Sequence, residues 1–414
     1  MMDRLSQRQL NRATLHRQLL LQRAARPARD AIEHLAGLQA QAPLAPYVGL
    51  WTRLAGFTHD ALKDLLTERI VVRAHLMRNT VHLVTAADYL SFRPLFQPPM
   101  DRALAGAFGR RLAGVDLAEL REAARPLLAE RPLTRTQLAA QLSARWPDRD
   151  PAALAYAATH LLHLVQVPPR GLWGQAGQAT WLLADAWLAS APAPVPAPAA
   201  PDPVPPAAAP DPSAPDPAAA RERLVLRYLA AYGPASVADI QAWSGLTRLR
   251  EVTDGLGSRL RAFAGPDGAE LLDLPDAPRP DEDVPVPVRF LPEYDNLLLS
   301  FADRSRVIRH GRPVPLPPGN GATTGTVLID GCWEAGWRRN RAVLEIRPFA
   351  RLADATADAV MAEGARLLEF TDPAGPASGE PPASGEPPAS GELASGERSA
   401  SAAARDIRVV SPVS

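Results

Sequence analysis

Residues 189–217 are dominated by alanine, proline and aspartate. Proline supplies no amide to a ladder or helix interior, and alanine adds too little apolar surface to build a core. The segment therefore reads as an extended, disordered linker, and whatever folds must lie on either side of it. Beyond Thr371 the chain runs into Pro-Ala-Ser-Gly-Glu repeats, so 371–414 reads as a disordered tail. Two spans are left, 1–188 and 218–370, and the 414 residues are enough to bury several cores.

One plan recurs within those spans. In the first, helical spacing runs over residues 10–21, 29–38 and 47–54, and Thr58 reads as the N-cap of a helix over 60–67. Two strands follow, 70–77 and 80–85, with Arg78-Asn79 as a short turn. Helices lead next to Thr134, which can cap a helix to Ala144. A second helix over 151–164 follows, and then a candidate hairpin over 165–183. After the linker come a helix over 218–232, a Ser236-capped helix, another over 247–256, and strands near 260–264 and 270–274. Helices on a terminal hairpin describe a winged helix. The chain divides into winged helix 1 (1–98), winged helix 2 (99–188), the linker, winged helix 3 (218–275), and a β-rich C-terminal domain (284–370) closed by a helix over 353–370. The fold class is α+β.

Formal charge is zero overall but uneven. Residues 1–188 carry 23 basic against 15 acidic residues, a net +8, while 189–220 and 371–397 carry acid and no base. A basic folded part masked by acidic flexible segments suits a polyanion partner. Cys332 is the single cysteine, which excludes an intrachain disulfide and a cysteine-based zinc site. His160 and His163 share a helix face without a Cys or Glu at ligand spacing, so no metal is expected, and no Gly-rich phosphate loop is present. No apolar run approaches membrane-spanning length and the N-terminus lacks a signal-type stretch, so a cytoplasmic protein without a membrane partner is expected.

Where the helix ending near Leu38 meets Pro43, two glutamines stand one residue apart in Gln39-Ala40-Gln41. In an extended segment, positions i and i+2 share a face, so both amides could reach one small target. A polar helix end exposed to water is the alternative.

Residue for residue, the chain resembles the AlkZ/YcaQ-type DNA glycosylases, within the winged-helix DNA-binding domain proteins. The resemblance is carried by Leu38-Gln39-Ala40-Gln41 and Leu76-Met77-Arg78-Asn79-Thr80-Val81-His82-Leu83-Val84. It continues in Leu291-Pro292-Glu293-Tyr294-Asp295-Asn296, Asp303-Arg304-Ser305-Arg306, and Val327-Leu328-Ile329-Asp330-Gly331 with Trp337-Arg338. It implies three tandem winged-helix units and a β-rich domain around a concave DNA-binding channel. It also implies a catalytic Gln-Φ-Gln motif (Φ apolar) in the AlkZ-like branch, here Gln39 and Gln41, against Gln-Φ-Asp in the YcaQ-like branch. AlkZ-like members resemble self-resistance enzymes that remove bulky guanine adducts from DNA.

The chemistry is compatible with two glutamines. Guanine alkylated at N7 is cationic and leaves as a neutral base, so it needs little protonation. Glutamine carbonyls can hold a water and face a developing oxocarbenium ion, although they cannot act as true bases. Of the basic residues only Lys63 is a lysine, and its predicted helix face is solvated. A strand-nicking lyase usually needs an amine nucleophile, so a monofunctional enzyme without cofactor is expected, acting as a monomer on double-stranded DNA that carries alkylated guanine. Arg53, Arg78, His82, Asn296, Arg304 and Arg306 are the further candidates for DNA contact, with sheet packing the equal alternative for His82. For the corner holding Asp295, Asp303 and Arg304, an Asp–Arg pair bracing the β-domain is favoured over a functional role. A non-catalytic winged-helix regulator remains the main competing function, and sequestration of a toxin the second.

Overall fold

The run Ile70-Val71-Val72-Arg73-Ala74-His75 lacks the alternation of a strand with one wet face. In the computed structural model, which describes residues 2–189, 216–314, 324–340, 343–372 and 406–410, both of its faces are covered. Strand Val71–His75 lies inside a six-stranded antiparallel sheet. The order is Leu38–Gln39, Val81–Thr85, Val71–His75, Leu164–Val167, Thr180–Leu183, Leu133–Thr134. The two hairpins read as wings of successive units are thus one sheet, joined where Arg73 stands opposite Gln166.

Alternate residues of this sheet feed two cores. Val71, Val81 and Leu83 pack with Leu120, Leu138 and Leu154, from helices Leu117–Glu130, Arg135–Ser143 and Pro151–Leu161. Val72, Ala74 and Val84 pack with Tyr228, Tyr232 and Trp243, from helices Pro217–Tyr232 and Val237–Ser244. The helices beyond the linker therefore cover a sheet built before it. Capping fixes where these helices start. Thr58, Thr134 and Ser236 each accept a backbone N–H of the first turn, and Thr134 with Gln137 and Ser236 with Asp239 form capping boxes.

A second sheet has the order Asp406–Val409, Val343–Pro348, Cys332–Asn340, Gly325–Ile329, Arg289–Leu291. Helix Asp354–Phe370 closes it, with Val360 and Leu367 against Phe290 and Ile346. Strand Asp406–Val409 corrects the reading of 371–414 as uniformly disordered: it pairs in parallel with Val343–Ile346. Its short β-branched run, Ile407-Arg408-Val409-Val410, is hidden behind the low-complexity repeats. Residues 190–215 of the expected linker, and 373–405 and 411–414 of the expected tail, lie outside the described residues. Strands Arg261–Ala264 and Glu270–Asp273 form a separate ribbon.

Two buried ion pairs tie distant segments together. Arg17 forks onto Asp273 at 2.6 and 2.9 Å, and Arg53 onto Asp295 at 2.8 and 2.9 Å. Among the described residues no helix is long and apolar enough to cross a membrane.

Candidate active site

The helix expected over 29–38 stops at His34 in the structure. Ala36 and Gly37 take positive φ, +53° and +92°, and turn the chain back so that Leu38–Gln39 becomes an edge strand against Val81–Thr85. A side chain at Gly37 would meet Val84 Cγ1 at 2.6 Å, so glycine is needed both for its φ and for this close approach. Gln39 thereby stands opposite His82.

Gln39 is 7% exposed, and its Oε1 accepts a 2.7 Å bond from Arg78 Nη2. The same Nη2 donates to Asn296 Oδ1 at 3.2 Å, and Arg78 Nη1 donates to the Trp243 carbonyl at 2.6 Å. Asn296 Nδ2 donates in turn to the Gly37 carbonyl at 3.2 Å. Arg78 itself has φ +54° at the hairpin turn Met77–Asn79. Burial lowers its pKa to about 10, with the Arg304 charge acting in the same direction. At that value the group is still cationic at neutral pH.

Gln41 behaves differently. The strand ends at Gln39, so the alternation that would place both amides on one face does not continue. Gln41 Oε1 accepts from Val81 N at 3.3 Å. Its side chain borders a cavity of about 290 Å³ shared with Arg73, His75, Gln166, Arg135 and Arg170. Gln39 is not part of that lining. The two glutamines therefore meet the same hairpin through different donors, one charged and one a backbone amide.

Five of the six residues expected to touch DNA are committed to the protein instead. Arg53 is 1% exposed and donates to Asp295 and to the Gln18 and Gly49 carbonyls. Arg306 donates to the Pro234 carbonyl, approaches Asp239 at 4.0 Å and lies over the Phe301 ring. His82 is fully buried with Nδ1 on the Thr80 carbonyl, and burial brings its pKa down to about 3, with Arg78 adding to the shift. Asn296 is 3% exposed inside the Arg78 network. Arg78 lies at the hairpin turn, as the sequence suggests, but helix Val237–Ser244 covers that turn and its Trp243 carbonyl takes Nη1. The Asp–Arg brace of the β-domain exists with other partners than the sequence suggested. Asp295 holds Arg53, while Asp303 accepts from Ser305 in its own turn. Arg304 is the exception among the six: half-buried, with Nε lacking a hydrogen-bond partner.

Sequence reasoning missed the cavity beside Gln41. Its available signal was Arg73, a charge inside an otherwise apolar strand run. Arg73 is 2% exposed and donates to the Ala40 and Arg170 carbonyls, and burial lowers its pKa to about 10. His160, for which no metal role is expected, bonds the Tyr156 carbonyl and stacks on the Tyr156 ring. Among the described residues no group of three or more His, Cys, Asp or Glu could hold a metal.

No curated protein sequence matches the chain. The fold is similar to that of the Streptomyces sahachiroi DNA glycosylase AlkZ, with a TM-score of 0.65 at 20% identity, covering 89% of this chain and 97% of that one. The family model described as DNA glycosylase AlkZ-like matches residues 32–370, a span that includes both glutamines, the hairpin and four of the five strands of the C-terminal sheet. The chain belongs to the AlkZ-like DNA glycosylases.

Proposed function

We propose that this DNA glycosylase is monofunctional. Its substrate is N7-alkylated guanine in double-stranded DNA, above all bulky adducts derived from natural products. It hydrolyses the N-glycosidic bond and leaves an abasic site, as a cytoplasmic monomer serving self-resistance or repair. In this reading the three helix–hairpin units are winged helices lining a concave DNA channel, and Gln39 and Gln41 are the catalytic residues. Arg304, with its Nε unpartnered, is the remaining candidate for a DNA contact.

The observation that carries this reading is that both glutamine carbonyls are held in place by donors of one hairpin, Arg78 Nη2 and Val81 N. An amide oxygen has two lone pairs, so each can keep its hairpin donor and still accept from a water. As the C1′–N9 bond breaks, its electron pair goes to the base and cancels the positive charge there. The sugar becomes cationic, water adds at C1′, and the water's proton leaves to solvent. Fixed dipoles facing that centre favour the transition state without a proton acceptor of matched pKa. This division of labour restricts the enzyme to leaving groups that are already activated. Lys63, paired with Asp60 on an exposed helix face, is poorly placed for a covalent sugar adduct.

The test is incubation with a duplex carrying N7-alkylguanine, followed by heat or alkali. Wild type should yield strand breaks. Single Gln39→Ala or Gln41→Ala substitutions should slow excision about 10²–10³-fold, by analogy with loss of one oxyanion-hole donor. Full activity in the double variant would remove these residues from catalysis. Trapping of a protein–DNA adduct by borohydride would overturn the monofunctional assignment.

A further inference from the structure

The cavity beside Gln41 holds three arginines, Arg73, Arg135 and Arg170, and no Asp or Glu lines it. Among the described residues no carboxylate forms a salt bridge with any of the three. Arg135 lies over the Tyr156 and Trp181 rings, and Arg170 Nη1 donates to the Gly177 carbonyl. The Nε atoms of Arg73 and Arg135 are buried without a partner. Buried, uncompensated charge is costly, by several kcal/mol per ion even after relaxation. Of the three only Arg73 is fully buried; other buried arginines such as Arg17 and Arg53 are paired with Asp273 and Asp295, while Arg93 rests on backbone carbonyls alone. The cavity is also bordered by Thr134, Arg135 and Thr136 at the N-terminus of helix Arg135–Ser143, an end that favours negative charge.

We infer that this cavity is a phosphate subsite: it takes the phosphodiester group flanking the nucleotide under attack, with Arg73, Arg135 and Arg170 as its cationic wall. The site rests on the glycosylase reading for the identity of its polyanion. A cationic N7-alkylguanine would be repelled by three arginines, which assigns the cavity to the backbone and leaves the damaged base elsewhere. Gln41 on the cavity wall then places its amide next to the clamped phosphate, so one contact fixes the sugar relative to the catalytic dipole.

The test reads binding without chemistry, using a duplex with a single tetrahydrofuran abasic analogue. Binding constants across a salt series give the slope of log K against log salt. Arg170→Gln and Arg135→Gln should each reduce that slope by about one, the signature of a lost phosphate contact. Arg135→Lys should restore most of it. A methylphosphonate at one phosphate next to the analogue should lower the slope for wild type by about one, and by less in Arg170→Gln, whose hold on that phosphate is already weakened. This arm leaves the protein intact, so it stands even where Arg135→Gln loses packing on Trp181. Wild-type slopes in both arginine variants, with indifference to the neutral linkage at either flanking position, would overturn the subsite. If the slopes shift as expected while wild type fails to excise N7-alkylguanine, the phosphate site stands and the lesion assignment falls.

Discussion

At the scale of single residues, Arg78 does more than a surface arginine at a turn would. It holds the Gln39 carbonyl, the Asn296 side chain and the Trp243 carbonyl together, so three segments far apart in sequence meet on one guanidinium. Arg78→Ala removes the donor that orients Gln39 and leaves buried acceptors unpaired. Misplacement of a catalytic group by about 1 Å costs on the order of 10²-fold, so excision should slow by about that much under single-turnover conditions. Arg78→Lys should rescue little, because a point charge cannot serve several acceptors in fixed directions. A loss of activity no greater than the accompanying loss of folded protein would make Arg78 a packing residue only. Gly37→Ala is the complementary change. Its φ of +92° and the 2.6 Å approach to Val84 leave no room for a methyl, so the edge strand bearing Gln39 should shift and both stability and excision should fall. A variant that melts and cuts like wild type would show that the strand tolerates displacement.

Between elements, the sequence carried local structure well and pairing poorly. Caps at Thr58, Thr134 and Ser236, and the strands 71–75 and 81–85, are set by short-range chemistry and are visible in the residues. Two things were not visible. The first is that hairpins 71–85 and 164–183 share one sheet, since Arg73 opposite Gln166 depends on which faces are already covered. The second is the fate of the arginines. Arg53 and Arg306 look like surface charges until Asp295 and Asp239 arrive from more than sixty positions away. The Gln-x-Gln spacing suggested one shared face; in the structure the two carbonyls meet one hairpin through separate donors, Arg78 Nη2 and Val81 N. The shared sheet has a consequence for truncation. A fragment ending at residue 189 keeps Val72, Ala74 and Val84 but loses Tyr228, Tyr232 and Trp243 that cover them. Such a fragment should be insoluble or bind a hydrophobic dye, and co-expression with residues 216–414 should restore a soluble complex. A monomeric, cooperatively melting fragment would show that the first sheet does not need the later helices.

Across the whole molecule, stability should depend on buried neutral histidines. Burial lowers His82 to about 3, and His34 and His160 to about 4, from an ordinary 6.5. In the unfolded chain each takes up a proton near pH 6.5, while the folded protein refuses it until pH 3 to 4. The unfolded state therefore binds more protons throughout that window, and stability falls as pH drops from about 6.5 toward 4. Well inside the window each such histidine costs up to about 1.4 kcal/mol per pH unit. Asp88 and Glu293 act in the opposite sense. Burial raises both, so the folded state holds their protons more readily and offsets part of the loss near the acid end. The net prediction is a melting temperature that is flat above pH 7 and declines steadily below 6.5. His82→Gln, which cannot titrate and can still donate to the Thr80 carbonyl, should flatten the decline even if it lowers stability at pH 7. A His82→Gln profile parallel to wild type between pH 6.5 and 4 would show that His82 is protonated in the folded state, and would place a compensating charge or water beside its buried Nε2.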